Sequence, residues 1–272
     1  MMNQTVPVAL TLSQRFHFDA FGYVLLRGVL SKGEISAMKE ALLRIKRDEN
    51  RVASRIYVNA DVPHLLHIGN LVEYDPALLA YAAHPKLVPI VQELVGGEVR
   101  LEETEAIINR RDPDFEFPKS GNTIPSGFHA GANQDWGTYL SQGRFHCLFV
   151  KTLAFLTDVG PDDGGTALIP GSHKMPWEQE EMILAAKDDP SLILQIEANA
   201  GDVLVFAESL IHSTTAIRSD RERVILVNGY VPTMMREWPG NEISPEFAAT
   251  LPEAQRRLIA GSASWPWRRK GA

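Results

Sequence analysis

Apolar residues recur with two different periods along this chain. In the first third the period is helical. Ile35, Met38, Leu42 and Ile45 repeat at three- and four-residue intervals behind Ser31-Lys32-Gly33-Glu34, a capping box in which Ser and Glu satisfy each other's free backbone amides. A second helical stretch runs from about Pro76 to Leu94 and stops at Gly96-Gly97, and Pro85 and Pro89 predict a break inside it. From about Glu98 the pattern changes to short β-rich runs between Gly, Pro and Asp clusters. These are Leu101 to Asn109, Phe145 to Leu156, Thr166 to Ile169, Leu192 to Ile196, Asp202 to Phe206 and Arg223 to Val231. Many short strands joined by polar turns predict an antiparallel barrel or jelly roll. Pro176 to Lys187 reads as an inserted helix. Leu251 to Ala260 reads as a final one, with Pro252 early and Gly261 just past its end. Arg110 to Gly127 is rich in Pro, Asp and Gly and reads as a long functional loop. The expectation is one domain over 1–272, with a β core over about 98–232 and mostly helical support over 1–97.

Composition narrows the partners. A chain of 272 residues with 44% hydrophobic content can bury a substantial core. Its net charge of -7 argues against nucleic acid or an anionic membrane, either of which wants a basic face. Arg268-Arg269-Lys270 reads as a solvated tail. The single cysteine, Cys147, rules out an intramolecular disulfide and a Cys-based zinc site. Met1 to Thr5 shows no basic region followed by an apolar run, and no apolar stretch approaches the roughly 20 residues that span a bilayer. The expectation is a soluble, cytoplasmic protein with a small-molecule substrate; no pattern specifies an oligomeric state.

The candidate chemistry starts at His212. The apolar run Val203 to Phe206 leads to His212, and eleven positions later Arg223 opens the next apolar run. A His at a strand end can hold a metal, and an Arg one strand away can clamp a carboxylate with two parallel hydrogen bonds. Metal ligand beside carboxylate clamp suggests a non-haem iron site that binds a 2-oxo acid. Asn109 and Lys151 lie on predicted barrel strands, where an inward polar side chain suits a polar cosubstrate. Arg55 reads as a residue that can reach the site from the N-terminal layer.

Two further segments complete the picture: Gly127-Phe128-His129-Ala130-Gly131, followed by Asn133-Gln134-Asp135-Trp136, and the run Leu156-Thr157-Asp158-Val159-Gly160-Pro161-Asp162-Asp163-Gly164-Gly165-Thr166, which continues to Ile169-Pro170-Gly171-Ser172-His173-Lys174. Together with the His212 and Arg223 stretch they resemble the phytanoyl-CoA dioxygenase family of iron(II)- and 2-oxoglutarate-dependent oxygenases, over roughly Phe16 to Tyr230. The resemblance implies a double-stranded β-helix. It implies His129 and His212 as iron ligands and Arg223 as the grip on the far carboxylate of 2-oxoglutarate, assisted by Thr166. The implied reaction consumes O2, releases succinate and CO2, and oxidises a C–H bond of a small organic substrate, most simply by hydroxylation. Trp136 and Tyr139, just after the first ligand, are expected to line the substrate pocket.

One position departs from the family. Its usual first ligand motif is His-x-Asp, and here His129-Ala130-Gly131 lacks the carboxylate. Glu208, four residues before His212, is the leading substitute, because it interrupts an apolar strand end and a buried carboxylate needs a partner. Asp135 is the lesser candidate. Alternatively Gly131 leaves room for chloride on the iron, as in halogenases of this class. A third possibility is two His ligands with water, or a degenerate site. A non-catalytic jelly-roll module that binds a small acid is the alternative from outside enzymology. The remaining histidines, His67 among them, read as ordinary hydrogen-bonding residues. Asp162-Asp163-Gly164-Gly165 reads as a tight turn rather than a calcium loop, with its glycines approaching the cofactor.

Overall fold

The computed structural model describes residues 8–47, 58–59, 64–116, 124–125, 127–141 and 143–261. Arg55, residues 117–123 and 126 of the expected loop, and the Arg268-Arg269-Lys270 tail lie outside the described residues. The elements run α1 (Leu12–Phe21), β1 (Tyr23–Leu26), α2 (Lys32–Arg47), β2 (Val58–Asn59), β3 (Leu65–Gly69), α3 (Pro76–Ala82), α4 (Val88–Val95), β4 (Val99–Asn109), α5 (Gln134–Gly137), β5 (Thr138–Ser141), β6 (Arg144–Cys147), β7 (Val150–Phe155), β8 (Thr166–Leu168), α6 (Gln179–Asp188), β9 (Leu194–Gln195), β10 (Val203–Ala207), β11 (His212–Thr214), β12 (Arg223–Pro232), α7 (Pro245–Thr250) and α8 (Glu253–Ala260).

Local chemistry explains the boundaries. The capping box at Ser31 forms, with the Ser31 amide 2.7 Å from Glu34 Oε2 and the Glu34 amide 3.3 Å from Ser31 Oγ. The stretch from Pro76 to Leu94 divides into α3 and α4, with His84-Pro85 between them, as a proline that cannot continue an α-helix requires. The α4 helix stops at Gly96, whose φ of 85° falls in the left-handed region.

Among the described residues, one antiparallel sheet has the order β1-β10-β7-β12-β4-β3-β2 and a smaller one the order β11-β8-β9. β5 and β6 pair separately. β7 and β10 are buried at every position because the large sheet is covered on both faces. Val203, Val205 and Ala207 pack toward the helical layer with Phe18, Met38, Leu42 and Leu94. Leu204 and Phe206 point the other way and join Leu153, Leu168, Ile225 and Val227 between the two sheets. This is the expected jelly roll with a helical layer.

Three expectations need adjustment. The segment 1–97 is not only helical support: β1, β2 and β3 join the large sheet, as strands too short to show a period. The run from Phe145 to Leu156 is two strands, because Phe149 leaves the sheet to pack with Ala132 and Val231. The stretch from Leu251 to Ala260 holds only α8; a separate short helix, α7, precedes it.

Candidate metal and cosubstrate site

His129 and His212 are brought together by backbone pairing. Each donates its amide to the other's carbonyl at 2.9 Å, and their ring centroids lie 4.3 Å apart. Both rings are anchored alike. His129 Nδ1 lies 2.9 Å from the Gly127 carbonyl, and His212 Nδ1 lies 2.8 Å from the Leu210 carbonyl. A carbonyl only accepts, so each Nδ1 carries the hydrogen, and in that tautomer Nε2 is the nitrogen left to face a metal. Burial, helped by the charge of His129, pushes the His212 pKa down to about 3, so His212 is neutral at physiological pH. Both imidazoles line a cavity of about 230 Å3 between the sheets.

Glu208 lies in the same cavity wall, just past the end of β10. Its amide donates to the Phe149 carbonyl at 3.1 Å, and its own carbonyl accepts from the Gly131 amide at 3.2 Å. A Cβ placed on Gly131 would stand 2.3 Å from Glu208 Oε1, so Glu208 occupies the space a side chain at 131 would need. Burial raises the Glu208 pKa above the ordinary carboxylate range, opposed by the positive charge of Lys151. Its Oε2 is buried without a hydrogen-bond partner. Among the described residues no three His, Cys, Asp or Glu side chains already converge on a point that could hold an ion. The fold presents two imidazoles with a carboxylate beside them.

Arg223 is the first residue of β12 and is buried. Its Nε donates to Asn109 Oδ1 at 2.9 Å, its Nη1 donates to the Gly164 carbonyl, and its buried Nη2 has no partner. Ile225 and Val227 line the cavity; Arg223 lies on the same face of β12 by strand alternation, beyond the lining residues. Burial lowers its pKa to about 10, which leaves it cationic at neutral pH. Thr166 also lines the cavity. Asn109 is opposite Arg223 in the β4–β12 register and spends its oxygen on the guanidinium, so it reaches the site through Arg223. The glycines after Asp163 serve strand packing: a Cβ on Gly164 would lie 2.9 Å from the Thr215 carbonyl oxygen, and one on Gly165 2.2 Å from that of Ile196.

Other expected residues stand elsewhere. Lys151 lines the cavity but pairs with Glu102 and Glu103, opposite Gly229 and far along β12 from Arg223. Asp135 is exposed on α5, outside the cavity lining. Trp136 is half exposed and packs edge-on against Phe149, and Tyr139 stacks on His146 with its hydroxyl donated to the Val95 carbonyl. Neither lines the cavity. Arg55 is outside the described residues. The sequence reading missed His67, Glu103 and Glu105, all in the cavity wall. The available signal was alternation: Glu103, Glu105, Ile107 and Asn109 share one face of an otherwise buried strand.

The arrangement of two Nε2 atoms, an unpartnered carboxylate oxygen and an unpartnered guanidinium nitrogen suits a divalent metal and a dicarboxylic cosubstrate. Comparison with known proteins agrees. The family description phytanoyl-CoA dioxygenase (PhyH) matches residues 18–225. The chain belongs to the phytanoyl-CoA dioxygenase family. It is a dioxygenase, and Fe(II), 2-oxoglutarate and O2 are the cofactor set of this family membership. The chain is 26% identical over 256 residues to the dioxygenase af480 of Aspergillus fumigatus, covering 90% of this chain and 75% of that protein. Its fold is similar to HygX of Streptomyces hygroscopicus, solved with nickel and 2-oxoglutarate, at a TM-score of 0.69 and 21% identity over 88% of this chain and 94% of the other. HygX has also been solved with hygromycin B bound. The epimerase SnoN from nogalamycin biosynthesis, solved with Fe3+, alpha ketoglutarate and nogalamycin RO, gives a TM-score of 0.59 at 19% identity, over 86% of this chain and 91% of the other. Among the described residues no helix is long and apolar enough to cross a membrane.

Proposed function

We propose that this family member hydroxylates a C–H bond of a small organic molecule, with iron held by His129, His212 and Glu208 and 2-oxoglutarate clamped by Arg223. The observation that carries this reading is the Glu208 carboxylate filling the space over Gly131, beside two imidazoles whose Nδ1 atoms are already committed to carbonyls. The carboxylate missing from His129-Ala130-Gly131 is thereby supplied from a different strand end. Glu208, whose buried Oε2 is unpartnered, would complete the set around a bound metal. Bound Fe(II) supplies O2 activation coupled to oxidative decarboxylation of 2-oxoglutarate to succinate and CO2.

The chain's own residues do the rest. The Gly127 and Leu210 carbonyls hold both rings in the ligating tautomer. Arg223 Nη2, buried and unpartnered, takes the far carboxylate, with the Thr166 hydroxyl nearby in the cavity. Leu153, Phe206, Ile225 and Val227 keep the centre dry. The same filling of the space over Gly131 counts against halogenation, which needs that space for chloride.

The test is anaerobic titration with Fe(II) and 2-oxoglutarate, followed by succinate release in air. The wild-type protein is expected to develop a weak visible charge-transfer band and to form succinate, and Glu208→Ala to lose iron affinity. If Glu208→Ala retains affinity and turnover, the third-ligand assignment is wrong. Chlorine in the product formed in the presence of chloride would overturn hydroxylation.

A further inference from the structure

The β4–β12 strand pair, whose Glu103, Glu105, Ile107, Ile225 and Val227 line the cavity, changes polarity along its length. In the register of β4 against β12, Asn109 is opposite Arg223, Ile107 opposite Ile225, Glu105 opposite Val227 and Glu103 opposite Gly229. One end is therefore cationic, the middle apolar, and the other end carries carboxylates. Asn109 and Glu105 are four residues apart on β4, roughly 13 Å of strand. A five-carbon diacid anchored at Arg223 is shorter than that, so the Glu105 and Glu103 rungs lie beyond the cosubstrate.

At that far end the basic groups stand beside carboxylates. Lys151 donates to Glu102 Oε2 at 3.2 Å and to Glu103. His67 Nε2 lies 3.1 Å from Glu105 Oε2. A carboxylate offers about four acceptor positions, more than these pairings use. Burial pushes the Glu105 carboxyl up, but the neighbouring His67, with Lys151 and His129 further off, outweighs it and holds Glu105 below the usual carboxylate range. Gly229 is part of the construction: a Cβ there would stand 2.3 Å from Glu102 Oε2 and 2.8 Å from Lys151 Nζ. The backbone register also shifts between Gly229 and Tyr230. The bulge and the missing side chain make room for the buried group of Lys151 with Glu102 and Glu103.

We propose that Glu105 and Glu103, backed by His67 and Lys151, form the substrate subsite, and that it takes a small molecule rich in N–H or O–H donors, an amino alcohol or polyol. An acyl-CoA fits it poorly, because its phosphates are anions and the subsite presents carboxylates. The inference rests on the iron and 2-oxoglutarate reading above.

The test adds glucosamine, sorbitol or acetyl-CoA to anaerobic protein loaded with Fe(II) and 2-oxoglutarate, and follows the charge-transfer band. Glucosamine or sorbitol is expected to shift the band, and acetyl-CoA to leave it unchanged. Glu105→Gln, which keeps the shape and removes the charge, is expected to weaken the shifting probe about tenfold, as loss of a charged hydrogen bond does. A thermal melt checks that the variant folds; if it does not, Glu103→Gln is read in its place with the same expectation. A shift by acetyl-CoA, no shift by either donor-rich probe, or wild-type binding in the folded variant overturns the subsite. A wild-type protein with no band at all overturns the iron site first, and the subsite with it.

Discussion

Glu208 Oε1 lies 2.3 Å from the point where Gly131 would carry a Cβ. Two residues 77 positions apart thus share one space: Gly131 leaves it, and the Glu208 carboxylate fills it. A real Cβ essentially never approaches another atom so closely, so a side chain at 131 requires Glu208 to move aside. Gly131→Asp alone is expected to clash and to place two carboxylates together, weakening both folding and metal binding. Gly131→Asp combined with Glu208→Ala restores the family's usual pattern and is expected to recover Co(II) or Fe(II) affinity above that of Glu208→Ala alone. Isothermal titration of the three variants checks this; a double variant no better than Glu208→Ala would break the link between the positions.

Asn109 holds Arg223 from the side, 2.9 Å from its Nε. Removing that acceptor leaves a buried charged donor unsatisfied and the guanidinium free to tilt. Asn109→Ala is expected to raise the KM for 2-oxoglutarate about tenfold, with kcat at saturation nearly unchanged. Initial-rate kinetics of succinate formation separate the two parameters, and an unchanged KM would assign Asn109 to packing alone.

Asp163 is the buried anchor of the turn before β8. It accepts hydrogen bonds from the Gly160 amide at 2.7 Å and Ser219 Oγ at 2.6 Å, and pairs with Arg221. Burial alone would raise its pKa, but these partners hold it below the usual carboxylate value. Its contribution to stability is therefore present above the unfolded carboxylate pKa, near 4, and is lost as pH falls through the lower folded value. Asp163→Asn is expected to cost about 1–3 kcal/mol at neutral pH, a difference that closes in acid. Denaturant unfolding of both proteins across that range measures it.

Gly165 lies against the backbone of the next strand, where a Cβ would stand 2.2 Å from the Ile196 carbonyl oxygen. Gly165→Ala is expected to destabilise by about 1–3 kcal/mol through overpacking, since neither strand can retreat without breaking its ladder. A shift in the urea midpoint at constant m-value checks it. Loss of iron binding without loss of stability would instead place Gly165 at the cofactor.

Much of the fold was legible because its signals are local. The capping box at Ser31, the break around Pro85 and most of the core strands follow from turn chemistry and hydrophobic period within a few residues. The strands hidden in the first third were not legible: Tyr23–Leu26 and Leu65–Gly69 are too short to show alternation, and only pairing with distant β10 and β4 makes them strands.

The site divides in the same way. The sequence by itself determined the family and marked the candidate residues: His129, His212 and Arg223 stand where the family resemblance points, and Gly131 stands where its motif has a carboxylate. Tertiary structure decided where the polar groups act. It placed Glu208 over Gly131, turned Asn109 toward Arg223, sent Lys151 to Glu102 and Glu103, and left Trp136 and Tyr139 outside the cavity. The reason is physical. A side chain's type is written at its own position, but its partner is set by the register of strands far apart in the chain, and in a sheet a shift of one residue exchanges the cavity face for the opposite one.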